Sequence, residues 1–179
     1  MIDKYITKEV SDGVAFLYLD QQDSKVNIVS PSLIDVFGQI IDQIISDDRI
    51  KAAVFISAKK DFIAGADIQS FKAEKVGDFQ PISRKGHLLL LRLETSPKPF
   101  VAAIHGTAYG LGVELPLACS ARIASNHRST KFALPEVKLG LLPGGGGTQR
   151  LPRLIGLQAS LDMMLTGKIF LLAKQKKSA

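Results

Sequence analysis

The chain has 179 residues, a length typical of one domain, and its 46% hydrophobic and 22% charged residues argue against a largely disordered protein. The net charge of +6 comes from scattered lysines and arginines without a nucleic-acid-binding motif, so nucleic acid is not an expected partner. One cysteine excludes an intrachain disulfide and a cysteine metal cluster, and the three histidines lie far apart, so we expect no metal.

The start of the chain lacks the basic and apolar regions of a signal peptide. The most apolar stretch, residues 100–124, is interrupted by charged residues and glycines, so no membrane span is expected. These features favour a cytoplasmic protein.

The first elements along the chain are a hairpin and a helix. Two β-rich runs, 5–10 and Val14–Leu19, flank Asp12-Gly13, a pair typical of a hairpin turn. Apolar residues then recur at helical spacing after Ser30-Pro31, which predicts an amphipathic helix over 31–46.

The middle of the chain alternates strands and helices. A short apolar run at Ala52–Ser57 predicts a buried strand, and leucines at 88–93 predict a second helix that ends before Ser96-Pro97. Phe100–Ile104 predicts another buried strand, which is followed by glycines and a short helix at 113–119.

The later segments complete an α/β pattern. Pro116 is expected to fit the short helix only within its first turn. Residues 121–125 and 131–133 predict strands, and Gly144–Gly147 precedes a last pair of helical segments. This alternation of strands and helices predicts an α/β fold.

A first candidate for chemistry is Glu114, which follows a buried strand and the glycines at 106, 110 and 112. Unpaired N–H groups at a helix start can face a developing negative charge. The alternative is that an acidic residue in a first turn only complements the helix dipole. This segment alone leaves both interpretations open.

Two further motifs join this segment in a family resemblance. They are Ile63-Ala64-Gly65-Ala66-Asp67-Ile68 and the segment 134–150, which contains Leu134-Pro135-Glu136 and the glycine run. In this order and spacing the three motifs resemble the crotonase superfamily, the enoyl-CoA hydratases and isomerases. Within that family the likeness is to the hydratase part of bacterial multifunctional fatty-acid oxidation proteins, and it extends from about residue 13 to Lys168.

The resemblance implies a crotonase-like (ClpP/crotonase) fold of repeated β-β-α units and a set of site residues. The N–H groups of Ala66 and Leu111 would form the oxyanion hole for a thioester carbonyl. Glu114 and Glu136 would hold and activate a water molecule that the Gly144 N–H helps to place. The residues implied along the substrate are Lys25, Val26, Ala64, Gly65, Asp67 and Ile68.

The implied reaction adds water across a trans-2-enoyl-CoA in fatty-acid β-oxidation. Its enolate charge suits a fixed pair of N–H donors, and paired carboxylates can serve as base and acid. Coenzyme A thioester is then the substrate, and neither a metal nor a cofactor is required. The presence of both Glu114 and Glu136 favours a hydratase, because related isomerases commonly rely on one acid at the second position. Isomerase activity stays open.

This sequence departs from the family pattern at two places, at Leu111 and at the end of the chain. Leu111 stands where the family usually has the middle of three glycines, and its side chain could narrow the pocket or disfavour positive φ. The chain is expected to comprise a hydratase-like domain over 1–168 and a divergent tail over 169–179, with the family's C-terminal helices missing.

Missing helices would leave apolar surface exposed and favour self-association, so a homo-oligomer is expected. A thiolase β subunit is a partner only if the chain belongs to a longer complex protein. A catalytically poor fragment that binds acyl-CoA or a partner protein is the alternative function.

Overall fold

The computed structural model describes residues 2–70, 75, 77–78 and 80–171. Eight strands and five α-helices lie within these residues. In chain order they are β1 Ile6–Ser11, β2 Val14–Leu19, α1 Pro31–Ser46, β3 Ala52–Ser57, α2 Gln80–Glu94, β4 Phe100–Ile104, β5 Thr107–Tyr109, α3 Leu111–Ala118, β6 Ala121–Ala124, β7 Lys131–Ala133, α4 Gly147–Ile155, α5 Leu157–Thr166 and β8 Phe170–Leu171. Short 3₁₀ helices span Ile2–Lys4, Ile68–Ser70 and Pro135–Leu139.

The strands form two sheets. The larger has the order β1-β2-β3-β4-β6, in which only the β1–β2 hairpin is antiparallel. The smaller has the order β5-β7-β8, with β5 and β7 parallel and β8 antiparallel to β7. Two isolated parallel bridges, Val29 to Ala66 and Ile63 to Ala108, extend the line of the smaller sheet.

A unit of two β-segments and a helix repeats along the chain. β4 lies in the large sheet, β5 lies in the small one, and α3 follows. β3 is likewise followed by the bridging Ile63 and then by α2. The α/β class and the repeated β-β-α units predicted from the sequence are therefore confirmed.

An aromatic stack fixes the large sheet against α1. The rings of Phe37 and Phe55 meet edge to face with centroids 5.6 Å apart, and Phe55 stacks on Phe100 at 5.7 Å. All three side chains are fully buried, so each contributes about 1.5–3 kcal/mol of apolar burial. The Ser30 side chain caps α1 by accepting a hydrogen bond from Leu33 N at 3.2 Å.

Three predicted elements differ from those observed. α2 begins at Gln80, well before the leucine cluster. Thr107–Tyr109 forms β5 where only a glycine-rich passage was predicted. α3 begins at Leu111, two residues early, so Pro116 is the sixth of its eight residues and lies beyond the first turn. The expectation for Pro116 was wrong, because the earlier start of α3 places the proline inside the helix, where it removes one N–H donor from the helical hydrogen-bond ladder.

The last helices carry exposed apolar side chains. Leu154, Leu157 and Leu165 are each at least half exposed, as is Leu142 before α4. Phe170 pairs with Phe132 in the small sheet, and residues 172–179 of the predicted tail lie outside the described residues. Among the described helices, none combines the length and apolarity that crossing a membrane needs.

Candidate active site

A cavity of about 550 Å³ lies between the ends of several elements. The structure brings eight of the sequence-predicted residues to its wall: Ala64, Gly65, Ala66, Ile68, Leu111, Glu114, Glu136 and Gly144. Lys25, Val26 and Asp67 are not among the lining residues. The cavity thus combines both predicted carboxylates with both predicted backbone donors, while the catalytic and binding roles of these residues stay predictions.

Glu114 is a buried carboxyl at the junction of α3 and α4. Its side chain is 1% exposed, and its Oε1 accepts hydrogen bonds from Gly145 N and Gly147 N, both at 2.8 Å. Burial raises the pKa of Glu114 to about 7, and the nearby Glu136 adds to the rise, whereas the two N–H donors oppose it. Such a carboxyl can exchange a proton near neutral pH.

Glu136 approaches the same cavity from the 3₁₀ helix Pro135–Leu139. Its Oε2 is buried and has no hydrogen-bond partner among the described residues. Burial raises the pKa of this carboxyl as well. A buried oxygen without a partner is costly in a folded protein and points to a bound group or water that completes it.

Gly110 allows the second carboxylate to approach α3. Its φ is +54°, which favours glycine, and a Cβ atom there would lie 3.0 Å from Glu136 Oε1. The positive φ falls on Gly110 and not on Leu111, so the leucine needs no strained conformation. Leu111 is the first residue of α3, where an N–H has no partner within the helix.

The segment that carries Ala66 is held by a short parallel bridge. Val29 N donates to Gly65 O at 2.9 Å, and Asp67 N donates to Val29 O at 3.0 Å. Because successive N–H groups of an extended segment point to opposite sides, the intervening Ala66 N–H points away from Val29. It donates no hydrogen bond to any described residue, and Ala66 lines the cavity.

Asn27 anchors this bridge from behind. Its side chain is 2% exposed and donates to Leu19 O, Ser57 Oγ and Phe62 O at 3.0–3.2 Å. Its backbone O accepts from Ala64 N at 2.9 Å. One buried amide therefore ties the 19–29 loop, the end of β3 and the Ala66 segment together.

The remaining wall of the cavity is largely apolar. It is formed by Ile28, Val29, Pro31, Ile34, Ile82, Leu139, Leu141 and Leu142. Apolar walls with a few convergent polar groups are typical of small-molecule sites, and they strengthen electrostatic interactions by excluding water. This cavity suits a ligand with an acyl portion.

Several contributors were missed from the sequence. Gly145 and Gly147, which were not predicted as donors, supply the N–H groups that hold Glu114. Tyr109 and the leucines after Gly140 line the cavity without having been singled out. A proline followed by four glycines and a helix was the available signal for the N–H donors, since helix starts carry unpaired N–H groups.

Comparisons with known proteins agree with this fold. The sequence model of the Enoyl-CoA hydratase/isomerase family matches residues 9–177. The fatty acid oxidation complex subunit alpha of Shewanella sp. (strain W3-18-1) is 48% identical over 159 residues, which cover 88% of this chain and 22% of that protein. The chain therefore spans about a fifth of the length of the curated relatives it matches.

Solved structures of enoyl-CoA hydratases share this fold. An enoyl-CoA hydratase from Geobacillus kaustophilus HTA426 superposes with a TM-score of 0.88 at 34% identity, covering 94% of this chain and 63% of that one. The enoyl-CoA hydratase from Bacillus anthracis gives a TM-score of 0.83 at 31% identity, with 92% and 64% covered.

The two-layer β-β-α architecture around this cavity is that of the crotonase superfamily. Within it, the chain belongs to the enoyl-CoA hydratase/isomerase family.

Proposed function

We propose that the chain hydrates trans-2-enoyl-CoA thioesters to 3-hydroxyacyl-CoA. The observation that carries the proposal is the pair of carboxyls in one apolar cavity. Two N–H groups hold one oxygen of Glu114, and Glu136 Oε2 is buried without a partner among the described residues. Each carboxyl thus has one oxygen left for a water molecule placed between them.

The reaction needs one proton to leave the water and one to reach the substrate. A carboxylate takes a proton from water as the water oxygen bonds to C3, and the C2–C3 π electrons move into an enolate on the thioester oxygen. The Ala66 and Leu111 N–H groups stabilise that charge, an effect for which losing one donor typically costs about 3–4 kcal/mol. The other carboxyl then protonates C2, so the atoms of one water are added in full.

Substrate binding and assembly are further parts of the proposal. Coenzyme A enters with the thioester as substrate, with no separate cofactor, and Lys25, Val26 and Asp67 contact its chain outside the acyl cavity. The exposed leucines of α4 and α5 favour a homo-oligomer. A thiolase β subunit is a proposed partner if this chain is part of a longer complex protein. We also propose that the protein acts in the cytoplasm.

Purified protein and crotonyl-CoA test the proposal through loss of the conjugated enoyl absorbance. Glu136→Gln should lower kcat by about 10²-fold or more, the usual scale for losing a general acid or base. Val137→Ala on the same 3₁₀ helix, whose side chain is 38% exposed, is the control. Near-normal turnover by Glu136→Gln would remove Glu136 from the chemistry, and no turnover by the unmodified chain would favour an acyl-CoA-binding fragment.

Isomerisation is a second candidate because it needs only one carboxyl to carry a proton between two carbons. The unpartnered Glu136 Oε2 suits that role. A Glu114→Gln variant separates the two reactions with trans-3-hexenoyl-CoA and crotonyl-CoA as substrates. Loss of hydration with retained double-bond migration would assign isomerisation to Glu136 alone.

A further inference from the structure

Arg150 lies behind the catalytic cavity and does not line it. Its side chain is 15% exposed and comes from the first turns of α4. Nε and Nη2 donate to Glu94 Oε2 at 3.1 and 2.7 Å, and Nη1 donates to Gly145 O at 3.1 Å. The guanidinium therefore connects the end of α2 to the glycine turn before α4.

The same glycine turn contacts Glu114 on its other side. Gly145 accepts from Arg150 through its O and donates to Glu114 through its N. Gly146 has a φ of +93°, and its Cβ position would lie against Arg150 Nη1. The turn is thus packed between the partly buried Arg150 guanidinium and the buried Glu114 carboxyl, which form no direct ion pair with each other.

We propose that Arg150 is a positioning residue for Glu114, which it orients through the Gly145 peptide while Glu94 holds the guanidinium in place. The inference rests on the proposed function for its catalytic consequence, but the geometry is independent of the reaction. Without the Arg150 donor, the turn can rotate and the Gly145 and Gly147 N–H groups lose their alignment on Glu114 Oε1. Displacements of this kind cost activity without removing a reacting group.

The charges around Glu114 make the pKa of this carboxyl a direct measure of whether Arg150 positions it. Arg150 from α4 lowers the pKa of Glu114, Glu136 from the 3₁₀ helix raises it, and His87 of α2 lies near Gly146 on the Arg150 side. Removal of Arg150 deprives the carboxylate of a nearby cation and of well-aligned N–H donors. Both losses disfavour the ionised form, so the pKa of Glu114 should rise.

The test compares Arg150→Met, Arg150→Lys and Glu94→Gln with a control, Arg153→Met. Arg153 is an exposed arginine on the same helix, and among the described residues its side chain donates only to Gln149 O. Carboxyl carbon-13 NMR follows the titration of Glu114, assigned by its loss in Glu114→Gln. We expect an upward shift of the titration midpoint in Arg150→Met, smaller upward shifts in Arg150→Lys and Glu94→Gln, and none in Arg153→Met. If Arg150→Met does not fold, the Glu114 titration midpoints of Arg150→Lys and Glu94→Gln are compared with that of Arg153→Met instead.

Kinetics provide the second readout. Arg150→Met should lower kcat for crotonyl-CoA by about tenfold to a hundredfold with KM within about twofold, because the substrate does not touch the arginine. An unchanged Glu114 midpoint in a folded Arg150→Met variant, or an equal shift in Arg153→Met, would overturn the proposal. A shifted midpoint in a chain without hydratase activity would instead uphold the positioning role and contradict the proposed function.

Discussion

Replacing Glu114 by glutamine should change how the stability of the protein depends on pH. The carboxyl is fully buried, and its pKa rises from the ordinary value of 4.5 to about 7. The folded state therefore binds the proton more tightly than the unfolded chain does. The stability that this proton contributes is complete below about pH 4.5 and is lost as the pH rises through about 7.

The size of the effect follows from that rise. Each pH unit between the folded and unfolded pKa values corresponds to about 1.4 kcal/mol, so the full loss amounts to about 3 kcal/mol. Glutamine keeps an oxygen that can accept from Gly145 N and Gly147 N, but it has no proton to lose. Between pH 4.5 and 8 the wild type should therefore lose about 3 kcal/mol relative to Glu114→Gln.

Urea unfolding at a series of pH values measures this difference. Far-UV circular dichroism is the suitable signal because the chain contains no tryptophan. Glu9→Gln, at an exposed position on β1, is the control and should follow the wild-type curve. Parallel curves for wild type and Glu114→Gln over the whole range would show that Glu114 is ionised as easily in the folded state as in the unfolded chain, and would refute the reasoning.

Three further predictions concern the walls of the cavity and the residue that supports one of them from behind. Leu111→Gly should leave coenzyme A binding similar and widen acceptance of bulky acyl groups, as measured by kcat/KM over a substrate series; a loss of affinity for coenzyme A itself would contradict this. Asn27→Ala should lower the free energy of unfolding by about 2–4 kcal/mol, because it leaves Phe62 O and Gln21 N without the Asn27 side chain as their hydrogen-bond partner, whereas the exposed Asn126→Ala should have little effect. Gly86 of α2 lines both the main cavity and a small apolar cavity behind Leu111, and a Cβ there meets no atom within 4 Å. Gly86→Leu should therefore lower kcat/KM for decenoyl-CoA relative to crotonyl-CoA by about tenfold or more, and Gly86→Ala should leave the ratio nearly unchanged.

Elements with strong local signals were predictable from the sequence. The bounds of α1 follow from Ser30-Pro31 and a long apolar periodicity, and β3 is a clear apolar run. β5 has only three residues between two glycines and pairs with β7, more than twenty residues later, so no local pattern reveals it. Strand pairing of this kind depends on tertiary contacts that periodicity does not encode.

Some residues of the candidate site were likewise predictable from local sequence, and others were not. Glu114 could be singled out from its helix start, whereas Glu136 entered only through the family resemblance, because nothing local joins it to Glu114. The roles of Gly145 and Gly147 depend on where α4 begins relative to α3, which the sequence does not state. Arg150 was missed because an arginine in an amphipathic helix ordinarily lies on the solvated face.

The origin of the product oxygen tests the central claim most directly. Crotonyl-CoA is incubated with the protein in oxygen-18 water, and the product is examined by mass spectrometry. The proposed mechanism predicts a 3-hydroxyacyl-CoA that has gained one labelled water, with the label on C3, and a strongly reduced yield with Glu136→Gln. A product of unchanged mass, or labelled product formed equally well without the Glu136 carboxyl, would contradict it.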